Sequence, residues 1–140
     1  MKNLAEPTAD VVLDVAPPLP GRNAVGTLTN RGTEAIEFAA YGSRGEGEAA
    51  WTEPLAALIH LDRFVPQNGW QSVGLGYCGT GVASYRLEPG RSVSLLLHPG
   101  DGSSEFLRFR LSYQLPDREE QKGKNVCEAI SKAVQVPQRR

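Results

Sequence analysis

Several residue types with which proteins carry out chemistry are scarce in this chain. Its 140 residues include two histidines, two cysteines and one methionine. The candidate metal ligands are His60, Cys78, His98 and Cys127. Structural zinc sites place their ligands in close pairs, and these four are scattered along the sequence. A blue-copper site needs a weak axial ligand and a second histidine after the cysteine, and no histidine follows Cys127. The sequence therefore predicts no metal or other cofactor.

Few residues offer themselves for catalysis. Cys78 is a conceivable nucleophile, with His60 or His98 as its base. A reactive thiolate needs a lowered pKa, usually from a helix N-terminus or a nearby cation, and no helix is predicted at Cys78. Two acidic sets lack the spacing of a calcium loop: Asp10, Asp14, Asp62; and Glu46, Glu48, Glu53. We expect Cys78 to be structural and the protein not to be an enzyme.

Strong charge and long apolar runs are also missing. The formal net charge is −1, which gives no electrostatic reason to expect nucleic acid as a partner. No apolar run approaches the ~20 residues that a membrane-spanning helix needs. The first ten residues hold no apolar segment of the signal-peptide type. Either the protein is cytoplasmic, or a leader was removed and Met1 was introduced for expression.

Glycine and proline, by contrast, are abundant. Fifteen glycines and ten prolines predict many turns and no long helices. The length suits one domain, which we place at residues 10–137. Residues 1–9 are expected to be disordered or foreign to the native chain, and residues 138–140 to form a tail.

A glycine-rich stretch matches a nucleotide-binding sequence motif but is not followed by the helix that the motif requires. Gly74, Gly76 and Gly79 fit G-x-G-x-x-G, which requires a helix immediately afterwards. Instead, residues 82–87 alternate in strand fashion and lead to Pro89-Gly90, a turn dipeptide. We expect a loop, then a hairpin in which residues 92–98 form the return strand.

Alternation between apolar and polar residues predicts further strands along the whole chain. They cover residues 10–15, 24–29, 33–39, 55–64, 70–73 and 105–115. Residues 105–115 alternate best, with Phe106, Arg108, Arg110 and Ser112 on the solvent side. Residues 55–64 and residues 125–136 also fit a helix. The Asn68-Gly69 turn signal favours a strand for residues 55–64. The need to protect a sheet edge favours a strand for residues 125–136. Ile130, Val134 and Val136 would share one face of the last strand.

The turn motifs carry a resemblance to a known domain type. They are Cys78-Gly-Thr-Gly, Leu87-Glu-Pro-Gly-Arg-Ser, Asn30-Arg-Gly and Ser131-Lys-Ala-Val-Gln-Val. Together they resemble immunoglobulin-like β-sandwich domains of uncharacterised bacterial exported proteins and, more distantly, the intracellular proteinase inhibitor family. The fold expected is an all-β, immunoglobulin- or fibronectin-III-like antiparallel sandwich of about seven to nine strands.

The resemblance implies an exported protein, in the periplasm or cell envelope, with a cytoplasmic location as the alternative. Cys78 borders a loop between strands, and Cys127 lies near the start of the last strand. Both lie where they can reach one end of a sandwich, so we predict a Cys78–Cys127 disulfide.

Loops are the remaining candidates for recognition. Residues 42–53, 74–81 and 116–125 are long enough to present side chains. Within them, Trp51 and Tyr77 are the aromatic residues that a protein partner would contact. The expected function is a non-catalytic binding or assembly module of the bacterial envelope. A protease inhibitor acting through loops at the end of the sandwich and an enzyme of unknown class are the alternatives.

Overall fold

The computed structural model contains only strands and turns among the residues it describes. These are residues 10–19, 22–41, 43–45, 48–74, 82–100, 105–117 and 127–136, with the backbone alone for 43–45 and 48–50. The strands are β1 (Val11–Ala16), β2 (Ala24–Asn30), β3 (Ile36–Tyr41), β4 (Ser43–Gly45), β5 (Glu48–Ala50), β6 (Leu55–Ala57), β7 (His60–Val65), β8 (Gly69–Val73), β9 (Val82–Leu87), β10 (Ser92–Leu97), β11 (Phe106–Tyr113), β12 (Cys127–Ile130) and β13 (Val134–Gln135). This described part alone holds thirteen strands, several of them only two or three residues long. The all-β prediction is confirmed.

Two sheets face each other across one apolar core. The larger sheet has the order β1-β2-β10-β6-β3-β9, and all its pairs are antiparallel except β6 with β10. The smaller sheet has the order β12-β11-β7-β8, with β13 also pairing β11. Alternate side chains of both sheets, among them Leu28, Leu95, Phe109 and Leu111, are buried between them. The arrangement is sandwich-like, as expected for strands with one apolar face.

The segment predicted as one strand over residues 55–64 forms two strands in different sheets. β6 belongs to the larger sheet and β7 to the smaller, and the chain crosses between them at residues 58–59. Leu55, Ala57, Ile59 and Leu61 are all buried, so the alternation continues without a break through the crossing. The single-strand prediction was wrong because alternation reports which side faces the core and not which sheet a residue joins.

The predicted hairpin of residues 82–98 is also wrong in its pairing. Its turn is present: the Arg91 amide donates to the Glu88 carbonyl at 3.1 Å, and Gly90 has φ of 81°. Yet β9 pairs with β3, while β10 pairs with β2 and β6. The backbone amide and carbonyl of Asn30 bond to Arg91 and Gly90, so the end of β2 contacts the turn. In the larger sheet, β6 and β3 lie between β10 and β9.

Residues 42–53 and the last segment of the chain both form strands. Residues 42–53 were predicted to be a loop, but β4 and β5 pair antiparallel within it; backbone groups alone build such a ladder, so low apolar content does not exclude it. The last segment is strand, as predicted, in two pieces against β11. Its core side chains are Ala129, Ser131, Val134 and Val136, whereas Ile130 is only half-buried, because the alternation shifts between the pieces.

Replacing Gly90 with alanine is expected to destabilise the protein by about 1–2 kcal/mol. No atom lies within 4 Å of the position an added Cβ would take, so the cost comes from the positive φ alone. Gly74→Ala is the matched control, since it also meets open space and its φ is not in the left-handed region. Urea denaturation measures both, and equal midpoints for the two variants would contradict the expectation.

Candidate functional site: the outer face of the smaller sheet

The outer face of the smaller sheet carries an unusual row of aromatic side chains. Phe64 on β7 lies opposite Trp70 on β8, and their ring centroids are 5.4 Å apart at 68°. Leu107 on β11 lies opposite Arg63, so Phe106 falls opposite Phe64 in the same register. Phe64 and Phe106 are 41% and 38% exposed. An outer sheet face normally carries polar side chains, which makes this row a candidate contact surface.

A buried carboxylate lies beside the aromatic row. Asp62 follows the same face of β7, opposite Arg108 on β11 and Ser72 on β8. Its side chain is 4% exposed. Burying a carboxylate is costly unless it is paired and hydrogen-bonded, and here two arginines supply both.

The hydrogen-bond partners of Asp62 are side chains of the two neighbouring strands on the outer face of the sheet. Arg108 Nε and Arg110 Nε each donate to Asp62 Oδ2 at 2.8 Å, and Arg110 Nη2 donates to Oδ1 at 3.1 Å. The Ser72 hydroxyl lies 3.5 Å from Oδ1. Arg110 also donates from Nη1 to Glu128 Oε2 at 2.7 Å. One carboxylate therefore fixes two neighbouring guanidinium groups.

Arg108 joins the charged group to the aromatic row. Its guanidinium carbon lies 4.8 Å from the centroid of the Trp70 ring, within cation–π distance. We call the surface formed by Phe64, Trp70, Phe106, Arg108 and Arg110 the arginine–aromatic face.

The pKa of Asp62 reflects two opposing effects. Burial of the carboxyl raises its pKa, but the hydrogen bonds and charges of Arg110 and Arg108 outweigh burial, so the pKa lies below its usual value. The same contacts raise the pKa of Arg110 against the opposing effect of burial. Both groups are therefore charged at neutral pH.

Acidification is expected to weaken the fold through Asp62. Because the native pKa is lowered, this stabilisation is present above the unfolded pKa of about 4 and is lost as the pH falls through the native pKa. Asp62→Asn cannot gain or lose this charge. We expect the difference in unfolding free energy between wild type and Asp62→Asn to shrink as the pH falls from 5 to below 3. Urea titrations across that range measure it, and a constant difference would contradict the assignment.

The structure places the predicted contact residue Trp51 against the core. It is half-buried, and its ring meets Tyr85 of β9 edge-on at 5.2 Å, while Tyr85 lies 5.4 Å from Phe38. Burial and the charge of Glu53 raise the pKa of Tyr85. Trp51 therefore packs at the border of the larger sheet, and its contact with a partner stays a prediction.

Tyr77 and Cys78 lie outside the described residues, as do residues 1–9, 138–140 and most of the loops 74–81 and 116–125. The strand Val82–Leu87 follows the glycine motif, where a nucleotide-binding unit would need a helix. Cys127 is half-buried and packs against the core. Its bond to Cys78 stays a prediction.

Among the described residues, neither histidine is brought together with other metal ligands. His60 is exposed, opposite Arg110, and His98 Nδ1 accepts a hydrogen bond from the Gly100 amide at 3.0 Å. Within the described ranges no group of three or more histidine, cysteine or acidic side chains is placed to hold a metal. The same ranges include no helix long and apolar enough to cross a membrane.

Sequence reasoning found three of the five residues of the arginine–aromatic face. The alternation of residues 105–115 placed Phe106, Arg108 and Arg110 on the solvent side, as observed. Asp62 was treated only as one of several acids that lack the spacing of a calcium loop. The available signal was an aspartate within the most apolar segment of the chain, since such a group must find partners when buried.

Comparisons of the chain with protein-family models, curated proteins and solved structures found no match.

Proposed function

We propose that the chain is a non-catalytic protein-binding module that meets its partner through the arginine–aromatic face. The supporting observation is the row of Phe64, Trp70 and Phe106 on an outer sheet face, beside a fixed arginine. Aromatic residues and arginine are the types enriched at protein interfaces and in their energetic hot spots. Cross-strand aromatic pairs also stabilise sheets, so binding and stability must be measured separately.

Photo-crosslinking tests the proposal. A photoreactive phenylalanine analogue replaces Phe106 in one variant and Leu19 in another; both side chains are exposed, and Leu19 lies off this face. In the cells that produce the protein, we expect a discrete crosslinked partner from position 106 only. Binding of that purified partner should then fall about tenfold or more in Phe64→Ala and Phe106→Ala. Equal affinity for wild type and both folded variants would overturn the proposal.

We also propose a specific type of β-sandwich for this domain. An immunoglobulin- or fibronectin-III-like domain is supported by two mostly antiparallel sheets that enclose one core. The parallel pairing of β6 with β10 is a departure from that pattern. Such sandwiches serve many unrelated functions, so the fold type adds no further argument for the partner.

The envelope location and the bacterial origin are proposals that rest on the resemblance of the turn motifs. Protease inhibition through loops at the end of the sandwich is the alternative proposal, and most of the loops 74–81 and 116–125 lies outside the described residues. A protease-panel assay separates inhibition from binding at the arginine–aromatic face.

A further inference from the structure

The two arginines of the arginine–aromatic face differ in how fully they are used. Arg110 donates from Nε, Nη1 and Nη2 to Asp62 and Glu128. Arg108 donates from Nε to Asp62, and its terminal nitrogens Nη1 and Nη2 have no partner among the described residues. The Arg108 side chain is 31% exposed. One fixed guanidinium therefore keeps hydrogen-bond donors available to a ligand.

Its surroundings restrict what that ligand can be. Trp70 lies against the guanidinium, and Phe64 and Phe106 cover the adjoining positions of the sheet. Contact with Trp70 holds the guanidinium without using its donors. An anion bound there would have apolar surface beside it, and exclusion of water by that surface strengthens a charge-assisted hydrogen bond.

The acidic side chains near Arg108 already accept hydrogen bonds from other donors. Asp62 and Glu128 balance Arg108 and Arg110, and both oxygens of Asp62 already accept hydrogen bonds. The rim acid Glu105 accepts a hydrogen bond from Gln135 at 3.2 Å. The unused donors of Arg108 thus have no acidic partner of their own on the described surface.

We infer that the partner presents an acidic, apolar polypeptide segment to this face. One Asp or Glu carboxylate accepts from Nη1 and Nη2 of Arg108, and the apolar residues beside it pack on Phe64 and Phe106. The forked donors of a guanidinium match a carboxylate. A single such group among aromatic rings, in a chain of net charge −1, favours this segment over a polyphosphate backbone. The inference rests on the proposed function.

Two peptide libraries test it. Each holds labelled nonapeptides with randomised apolar positions around a central residue, which is Glu in one library and Gln in the other. We expect the best Glu peptides to bind about tenfold tighter than their Gln counterparts, as a charge-assisted hydrogen bond implies. Arg108→Gln should abolish this preference, whereas Arg22→Gln, a change at an exposed arginine away from the face, should preserve it.

The outcomes separate this inference from the proposed function. If Glu and Gln peptides bind equally but depend on Phe64 and Phe106, the face is a binding surface and the carboxylate inference falls. If no peptide binding responds to Phe64→Ala or Phe106→Ala, both fall. Arg108→Lys serves if Arg108→Gln does not fold, because it keeps the charge beside Asp62 and loses the fork. An undiminished Glu preference in that variant would also overturn the inference.

Discussion

Asp62→Ala is expected to lower the free energy of unfolding by about 3 kcal/mol or more. The substitution leaves Arg108 and Arg110 without the carboxylate that both hold at 2.8 Å. Removing one partner of a buried ion pair typically costs about 3–5 kcal/mol, because the remaining charge stays desolvated. Here the arginines are partly exposed, and Arg110 keeps Glu128, which places the expected loss at the lower end.

Asp117→Ala is the matched control for this loss. Asp117 also pairs with an arginine, Arg86, at 3.0 Å, but its side chain is 58% exposed. An exposed ion pair contributes about 0–1 kcal/mol, so we expect a small effect. Urea denaturation at pH 7 measures both variants. Similar losses would show that Asp62 contributes no more than an ordinary surface acid.

Asn30→Asp is expected to destabilise the fold by about 3 kcal/mol. Asn30 is 1% exposed, and its side-chain amide donates to the carbonyls of Leu87 and Glu34 at 3.0 and 2.9 Å. Its side-chain oxygen accepts from the Gly32 amide at 3.0 Å. A carboxylate preserves the shape but replaces two donated hydrogen bonds with repulsion from two carbonyl oxygens. Each buried group left unsatisfied costs about 1–3 kcal/mol.

Asn68→Asp is the control, because Asn68 is exposed in the turn between β7 and β8. It should change stability by less than about 0.5 kcal/mol. The loss in Asn30→Asp should also diminish at low pH, since burial raises the pKa of the new carboxyl and its protonated form regains a donor. A loss independent of pH, or one as small as that of Asn68→Asp, would mean that Asn30 does not connect the strands as described.

Local pattern predicted those parts of this fold that local chemistry controls. The alternation of β2 and β11, the Glu88–Arg91 turn and the hairpin at Gly69 all follow from residue type and spacing. In the turn at Gly69 only the glycine has positive φ, and Asn68 does not. Asparagine tolerates that conformation but does not require it.

Strand pairing could not be predicted in the same way. Alternation in residues 55–64 is identical whether the chain stays in one sheet or crosses to the other. In the larger sheet β9 and β10 are separated by β3 and β6, which are distant from them in sequence. The same holds for the candidate site, where Asp62 and Arg108 meet only through the pairing of β7 with β11. Trp51 has polar neighbours in sequence, whereas its ring packs on Tyr85, which is distant along the chain.

The crossing at residues 58–59 has a consequence for the order in which the chain is synthesised. β6 lies between β3 and β10, and β2 also pairs with β10. Ala24 of β2 therefore has no partner until Leu97 is synthesised, and Leu55 of β6 has none on this side until Leu95 is synthesised. A nascent chain that ends before β10 therefore exposes the unpaired edges of both β2 and β6. Such edges are templates for pairing with other chains. The larger sheet can complete its pairing only after translation has passed residue 97, so these edges stay unpaired while the first two thirds of the chain emerge.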